Sequence, residues 1–442
     1  MRDWLSMTAA NLGRGIEQGE IDPVALTETY LEAIDTFKER DRIYAAITKD
    51  RARAEAQAAS ERAKAKLRLG PLDGVPISWK DLFDTAGCAT EAGSALLKGR
   101  TPDTDARVLR NASQAGLVCL GKTHMSELAF SGLGLNPITA TPPNVNDPRA
   151  VPGGSSSGAA ASVAFGLAAC GIGSDTGGSV RIPSAWNDLV GLKTTSGRVS
   201  LEGVVPLAAK FDTVGPLART VEDAALMLAA LEGTKPADLR GTTLKGKRLA
   251  VLDTVVFDDI RDTPRKAFND AIDRLRDAGA VIEHITSPEV SEAMPLSGIL
   301  YTSEAYGLWA DTIEAAPDKM FPPILDRFRG GKEFTAADYI AAWQKLDHLR
   351  AAYDARTAGF DAVLMPTAPN MPPDAEKLMS DDDYYVTENL LTLRNTRVGN
   401  LMGGCGVTLP TGTPSCGILF CGAPYGEERL LRLAKAAESV LA

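Results

Sequence analysis

Residues 152–185 read PGGSSSGAAASVAFGLAACGIGSDTGGSVRIPSA, with serine and glycine at both ends and an apolar middle. A flexible linker does not carry AAASVAFGLAACGIG between two polar blocks. The middle fits a helix of small residues, SGAAASVAFGLAA, followed by a buried strand, CGIGSDTGGS. Read plainly, the two blocks are tight turns bounding that helix and strand. Read chemically, they bring hydroxyls and unobstructed backbone amides to one place.

Outward from this stretch, helical and strand patterns alternate. Upstream, GVPISWKDLFDTAG is a strand entering a loop, DTDARVLRNASQAG is helical and LVCLGKT is a buried strand. The first seventy residues look helical: Asp22 caps a helix that opens with Pro23, and RARAEAQAASERAKAKL is a strong helix former. Downstream, KRLAVLD and AVIEHIT flank a helix, a mainly helical stretch runs from about residue 291 to 357, and AVLMPTAP, GVTLP and CGILFCG return as strands. This alternation predicts an α/β fold, a large mixed central β-sheet covered by helices on both faces. The expected organisation is one large domain: an N-terminal helical region at 1–70, a core at 71–235, an α/β and helical insertion or cap at 236–360, and a C-terminal part of the same sheet at 361–442.

Composition narrows the function. The chain has 442 residues, 44% hydrophobic and 24% charged, enough to bury a large core. Lys and Arg total 47 against 57 Asp and Glu, and this −10 balance argues against a general binder of nucleic acid or anionic membrane. The six cysteines have no CxxC spacing, so no zinc site is expected. The N-terminus lacks the apolar core of a signal peptide, and no run reaches the ~18 apolar residues of a membrane helix. A cytoplasmic protein is expected.

Several motifs are decoys. GLVCLGKT (116–123) fits the P-loop pattern, but its four middle residues are those of a buried strand rather than of a phosphate-cradling loop. GSSSG (154–158) fits the nucleophile elbow of α/β-hydrolases, which needs a histidine base. Only His124, His284 and His348 exist, and nothing around them suggests that role. With histidine scarce, a lysine becomes the candidate base for a serine nucleophile. It must be neutral to act, so burial or a nearby dipole has to lower its pKa. Lys80, beside Trp79 at the end of an apolar strand, fits best; its plain reading is an ion pair with Asp81.

These segments together resemble the amidase signature hydrolases. The resemblance rests on PLDGVPISWKDLFDTAG (71–87), GKTHMSELAFSG (121–132), the stretch at 152–185 and the residues following it, FDTVGPLARTVEDAALML (211–228) and NLMGGCGVTLP (400–410). It implies a Ser-cisSer-Lys triad of Ser179 as nucleophile, Ser155 as bridging serine after a cis peptide from Gly154, and Lys80 as base. It further implies an acyl-enzyme on Ser179, an oxyanion hole from the amides of Thr176, Gly177, Gly178 and Ser179, and substrate contacts from Ala129 and Ser131. Asp175 and Arg181 are expected to brace the loop as a buried ion pair. No metal or organic cofactor is implied.

The chain departs from common family residues at His124, Asn187-Asp188, Thr194 and Cys405, none of them catalytic, so the departures bear on substrate rather than on reaction. KDLFDTAG is closer to stand-alone amidases than the KDN of the tRNA amidotransferase relatives. The expected substrate is a small amide, carboxylated or urea-derived; the alternative is a glutaminase that works within an amidotransferase complex. Arg394 and Arg397 fit an anion contact and a surface charge equally well. A homodimer is compatible with the sequence, and so is a small accessory subunit.

Overall fold

Eleven strands join into one mixed sheet in the computed structural model, which describes residues 2–441. In chain order they are β1 (Tyr44–Ile47), β2 (Pro76–Lys80), β3 (Val118–Thr123), β4 (Cys170–Asp175), β5 (Val190–Lys193), β6 (Thr213–Ala218), β7 (Arg248–Leu252), β8 (Val281–Ile285), β9 (Ala362–Pro366), β10 (Cys405–Pro410) and β11 (Gly417–Gly422). Across the sheet the order is β1-β3-β2-β4-β6-β5-β10-β11-β9-β7-β8. β3, β2 and β4 run parallel, as do β9, β7 and β8, while the strands between β4 and β9 pair antiparallel. Helices cover the sheet, the α/β arrangement the alternating pattern predicts.

β2, β3 and β4 are buried along their whole length, and their sequences are correspondingly apolar with few alternations. The helix Ser157–Ala164 lies against them, and its small residues are a packing requirement. A Cβ at Gly158 would stand 2.6 Å from the Ile43 carbonyl oxygen and 2.7 Å from that of His124. Only glycine lets the backbones come that close. Trp79 and Phe83 pack edge-on at 5.4 Å beneath the same region.

Three strands escape the sequence reading. β1 interrupts the N-terminal helical region, where YAAI pairs antiparallel with β3. Four residues between two helices are too short to show a strand period. β6 holds Gly215 and Pro216, residues that weaken a strand signature, and β5 spans only four residues. Within 236–360, β7 and β8 extend the main sheet at one edge, and the helices from residue 288 to 357 follow without adding a strand to it. The P-loop-like GLVCLGKT is strand β3 and its approach. Lys122 there is buried and donates to Asp81 (3.1 Å) and Thr90 Oγ1 (2.8 Å). Among the described residues, no helix is long and apolar enough to cross a membrane.

Candidate active site

Lys80 is the last residue of β2 and is fully buried. Its Nζ donates to Ser155 Oγ at 2.7 Å and to Ser174 Oγ at 2.8 Å. Burial pushes its pKa down from 10.5 to about 7, against the opposing charges of Asp175 and Asp212. The neighbouring Asp81 is taken by Lys122, so the ion pair that would hold Lys80 cationic is absent. Ser174 carries no motif of its own in the sequence. The parallel pairing of β2 with β4 is the available signal, since it carries the end of GIGSD alongside the end of PISWK.

The first serine block meets this amine because the helix Ser157–Ala164 starts directly over the ends of β2 and β4. The peptide from Gly154 to Ser155 is cis, as the resemblance implies. Ser156 ties the two blocks together: its amide donates to the Ser179 carbonyl (3.3 Å) and its Oγ to the Ser174 carbonyl (3.2 Å).

The second block is a loop shaped by one buried ion pair. Arg181 donates to both oxygens of Asp175 at 2.9 Å, and neither side chain is exposed at all. Burial alone would raise the Asp175 carboxyl; the Arg181 guanidinium holds it well below the usual carboxylate range. Asp175 also accepts from the amides of Gly178 (2.8 Å) and Val180 (3.1 Å) and from Asn400 Nδ2 (3.0 Å). Thr396 Oγ1 donates to the Gly177 carbonyl at 2.7 Å, and Thr176 donates to Asp212 at 2.5 Å. The expected oxyanion set therefore needs one correction. The Gly178 amide is committed to Asp175, so Gly178 (φ +141°) serves the turn. The amides of Thr176, Gly177 and Ser179 donate to no other group among the described residues.

Ser179 lines a small cavity together with Thr176, Gly177, Ala129 and Ser131. Its hydroxyl has no protein partner among the described residues. Ala129 sits at φ +61° on a turn. Ser131 Oγ is held by Tyr385 (2.9 Å) and Asn389 (3.2 Å), which fixes the wall it belongs to. Phe130, Leu207 and four residues of the later helices, Tyr301, Arg327, Leu393 and Arg397, complete the lining. Arg397 is a sequence candidate; Tyr301 and Arg327 are not, because their helices carry no motif. Arg394 points elsewhere, to the Val256 carbonyl and Asn395. His284 pairs with Asp253 near the sheet edge, and no histidine reaches the cavity. A larger cleft beside Tyr353, Met402 and Arg429 touches none of these groups. No cluster of metal-binding side chains exists among the described residues.

A deprotonable buried lysine bonded to Ser155, with Ser179 and free loop amides at a small cavity, supplies the groups that a serine hydrolase with a lysine base requires. The sequence model of the Amidase family matches residues 25–431, and the chain belongs to that family, hydrolases of amide C–N bonds. It is 34% identical to a 2-amino-5-chloromuconic acid deaminase of Comamonas testosteroni, over 96% of this chain and 94% of that protein. It is 32% identical to the A chain of the glutamyl-tRNA(Gln) amidotransferase of Anaeromyxobacter dehalogenans, over 97% and 95%. Among solved structures, an inhibitor-bound chain from a vestigial protein complex bearing on the origins of an s-triazine catabolic enzyme superposes with a TM-score of 0.90 at 26% identity, covering 98% of each chain.

Proposed function

We propose that the protein hydrolyses a small amide through an acyl-enzyme on Ser179, with Ser155 and Lys80 as the proton relay. Neutral Lys80 accepts the Ser155 proton along their 2.7 Å contact, and Ser155 accepts the proton of Ser179 as its oxygen adds to the amide carbonyl. The free amides of Thr176, Gly177 and Ser179 receive the developing oxyanion. When the tetrahedral adduct collapses, the C–N bond breaks and the proton returns through Ser155 to the leaving nitrogen. Water then adds to the acyl carbon, the same relay takes its proton, and the carboxylate leaves Ser179. The observation that carries this reading is Lys80, fully buried, held by two serine hydroxyls and pushed down to about 7.

The small size of the cavity supports a small substrate. A glutaminase role fits less well. Glutamine carries an ammonium group, whereas the cavity lining has two arginines and no carboxylate. Six free cysteines, five of them buried, support a reducing, cytoplasmic setting. The test is ammonia release from aliphatic, aromatic and carboxylated amides and glutamine, with Ser179→Ala beside the wild type. Release from one class, lost in the variant, is expected; release from none overturns the proposal.

A further inference from the structure

The fully buried cations near the active site are compensated, and two half-buried ones are not. Arg181 pairs with Asp175 and Lys122 with Asp81, while Lys80 and Lys193 are pushed toward their neutral forms. Arg327 and Arg397 have neither resource. Both line the cavity of Ser179, both are half-buried, and neither lies within 4.0 Å of a carboxylate among the described residues. A guanidinium stays charged in any protein environment, so neutralisation is not open to them. Their protein contacts are few. Arg327 donates once, to the Phe130 carbonyl at 2.9 Å, and stacks on the Phe130 ring at 4.4 Å. Arg397 has one long contact, 3.4 Å to Ser297 Oγ.

A third donor sits with them. The Tyr301 hydroxyl is buried and has no hydrogen-bond partner, although its ring is fixed against Phe211 at 4.4 Å. Buried polar groups are almost always paired, and an orphan hydroxyl beside two unpaired guanidiniums points to a missing acceptor of negative charge. The three residues come from three helices, Leu296–Ala315, Pro322–Arg329 and Asp382–Leu401, which converge on this one wall.

Building on the amidase reading above, we propose that Tyr301, Arg327 and Arg397 form a carboxylate subsite, so that the preferred substrate is the monoamide of a short dicarboxylic acid. The scissile carbonyl lies at Ser179 and the oxyanion loop, and the distal carboxylate accepts hydrogen bonds from the two guanidiniums and the tyrosine. Ser179, Tyr301, Arg327 and Arg397 line one small cavity, which keeps the spacer between the two ends short. A neutral amide of the same shape leaves both charges unpaired and binds poorly.

The test is calorimetric binding to Ser179→Ala protein, which keeps the pocket and cannot turn over. Malonamate, succinamate and glutaramate are each compared with their uncharged diamides. At the best-fitting chain length the monoamide binds about 100-fold more tightly, the scale of a charge-assisted pair of hydrogen bonds out of water. Adding Arg397→Gln or Arg327→Gln erases that preference, Arg397→Lys restores part of it, and Tyr301→Phe costs about tenfold. Circular dichroism of each variant confirms that it is folded. Equal affinity for monoamide and diamide at every length, or a preference that survives both arginine substitutions, overturns the proposal. Ammonia release by the wild type is read in parallel. Turnover without carboxylate preference removes the subsite and leaves the amidase; carboxylate preference without turnover of any amide does the reverse.

Discussion

If Lys80 is the base, activity must follow its deprotonation. Buried behind Ser155 and Ser174, it titrates at about 7 instead of 10.5. At pH 7 about half the molecules then carry the free amine, against about one in 3,000 for an unperturbed lysine, a gain of roughly a thousandfold in active base. The sign follows: kcat/KM climbs about tenfold per pH unit on the acid side, bends near pH 7 and levels above about pH 8. The assay is ammonia release from one uncharged small amide, so that substrate ionisation does not enter. Asp212 raises the Lys80 pKa through its charge, so Asp212→Asn moves the acid flank to lower pH. Glu127, pushed up to about 7 by burial, also titrates in this range, and Glu127→Gln leaves the flank where it is. A profile that is flat or falling between about pH 5 and pH 9, or a flank that moves with Glu127 and not with Asp212, refutes Lys80 as base.

Two further outcomes concern the loop. Arg181→Met strands the Asp175 carboxylate where neither partner is exposed, and unfolding in urea is expected to show a loss of about 3–5 kcal/mol; an unchanged midpoint contradicts the bracing role. Gly178→Ala places a Cβ 2.2 Å from Thr396 Oγ1 at a φ of +141°, displacing the amides that face the substrate. A fall of about 100-fold in kcat with far-ultraviolet dichroism retained is expected, and near wild-type turnover contradicts it.

The sheet is legible in the sequence wherever the chain alternates helices with mostly apolar, fully buried strands, as from β2 through β4. It is not legible where strands are short or hold proline and glycine. β1, β5 and β6 owe their form to the neighbours they pair with, which local sequence does not display. The candidate triad is legible because its three residues lie in glycine- and serine-rich or apolar contexts of unusual composition. Its supporting groups are less so. Ser174 depends on strand pairing, and the commitment of the Gly178 amide to Asp175 depends on how the loop closes. Tyr301 and Arg327 sit in ordinary amphipathic helices, and nothing local marks Arg327 as unpaired or distinguishes Arg397 from Arg394. Their meaning comes from the convergence of three helices on one cavity.

The central claim is that Ser179 carries the acyl group. Its most direct measurement is steady-state ammonia release by wild type and Ser179→Ala on the best substrate of the amide panel, near pH 8, with both proteins shown to be folded. The account predicts ready turnover by the wild type and a loss of at least about a thousandfold in the variant. Turnover that survives the substitution would contradict it.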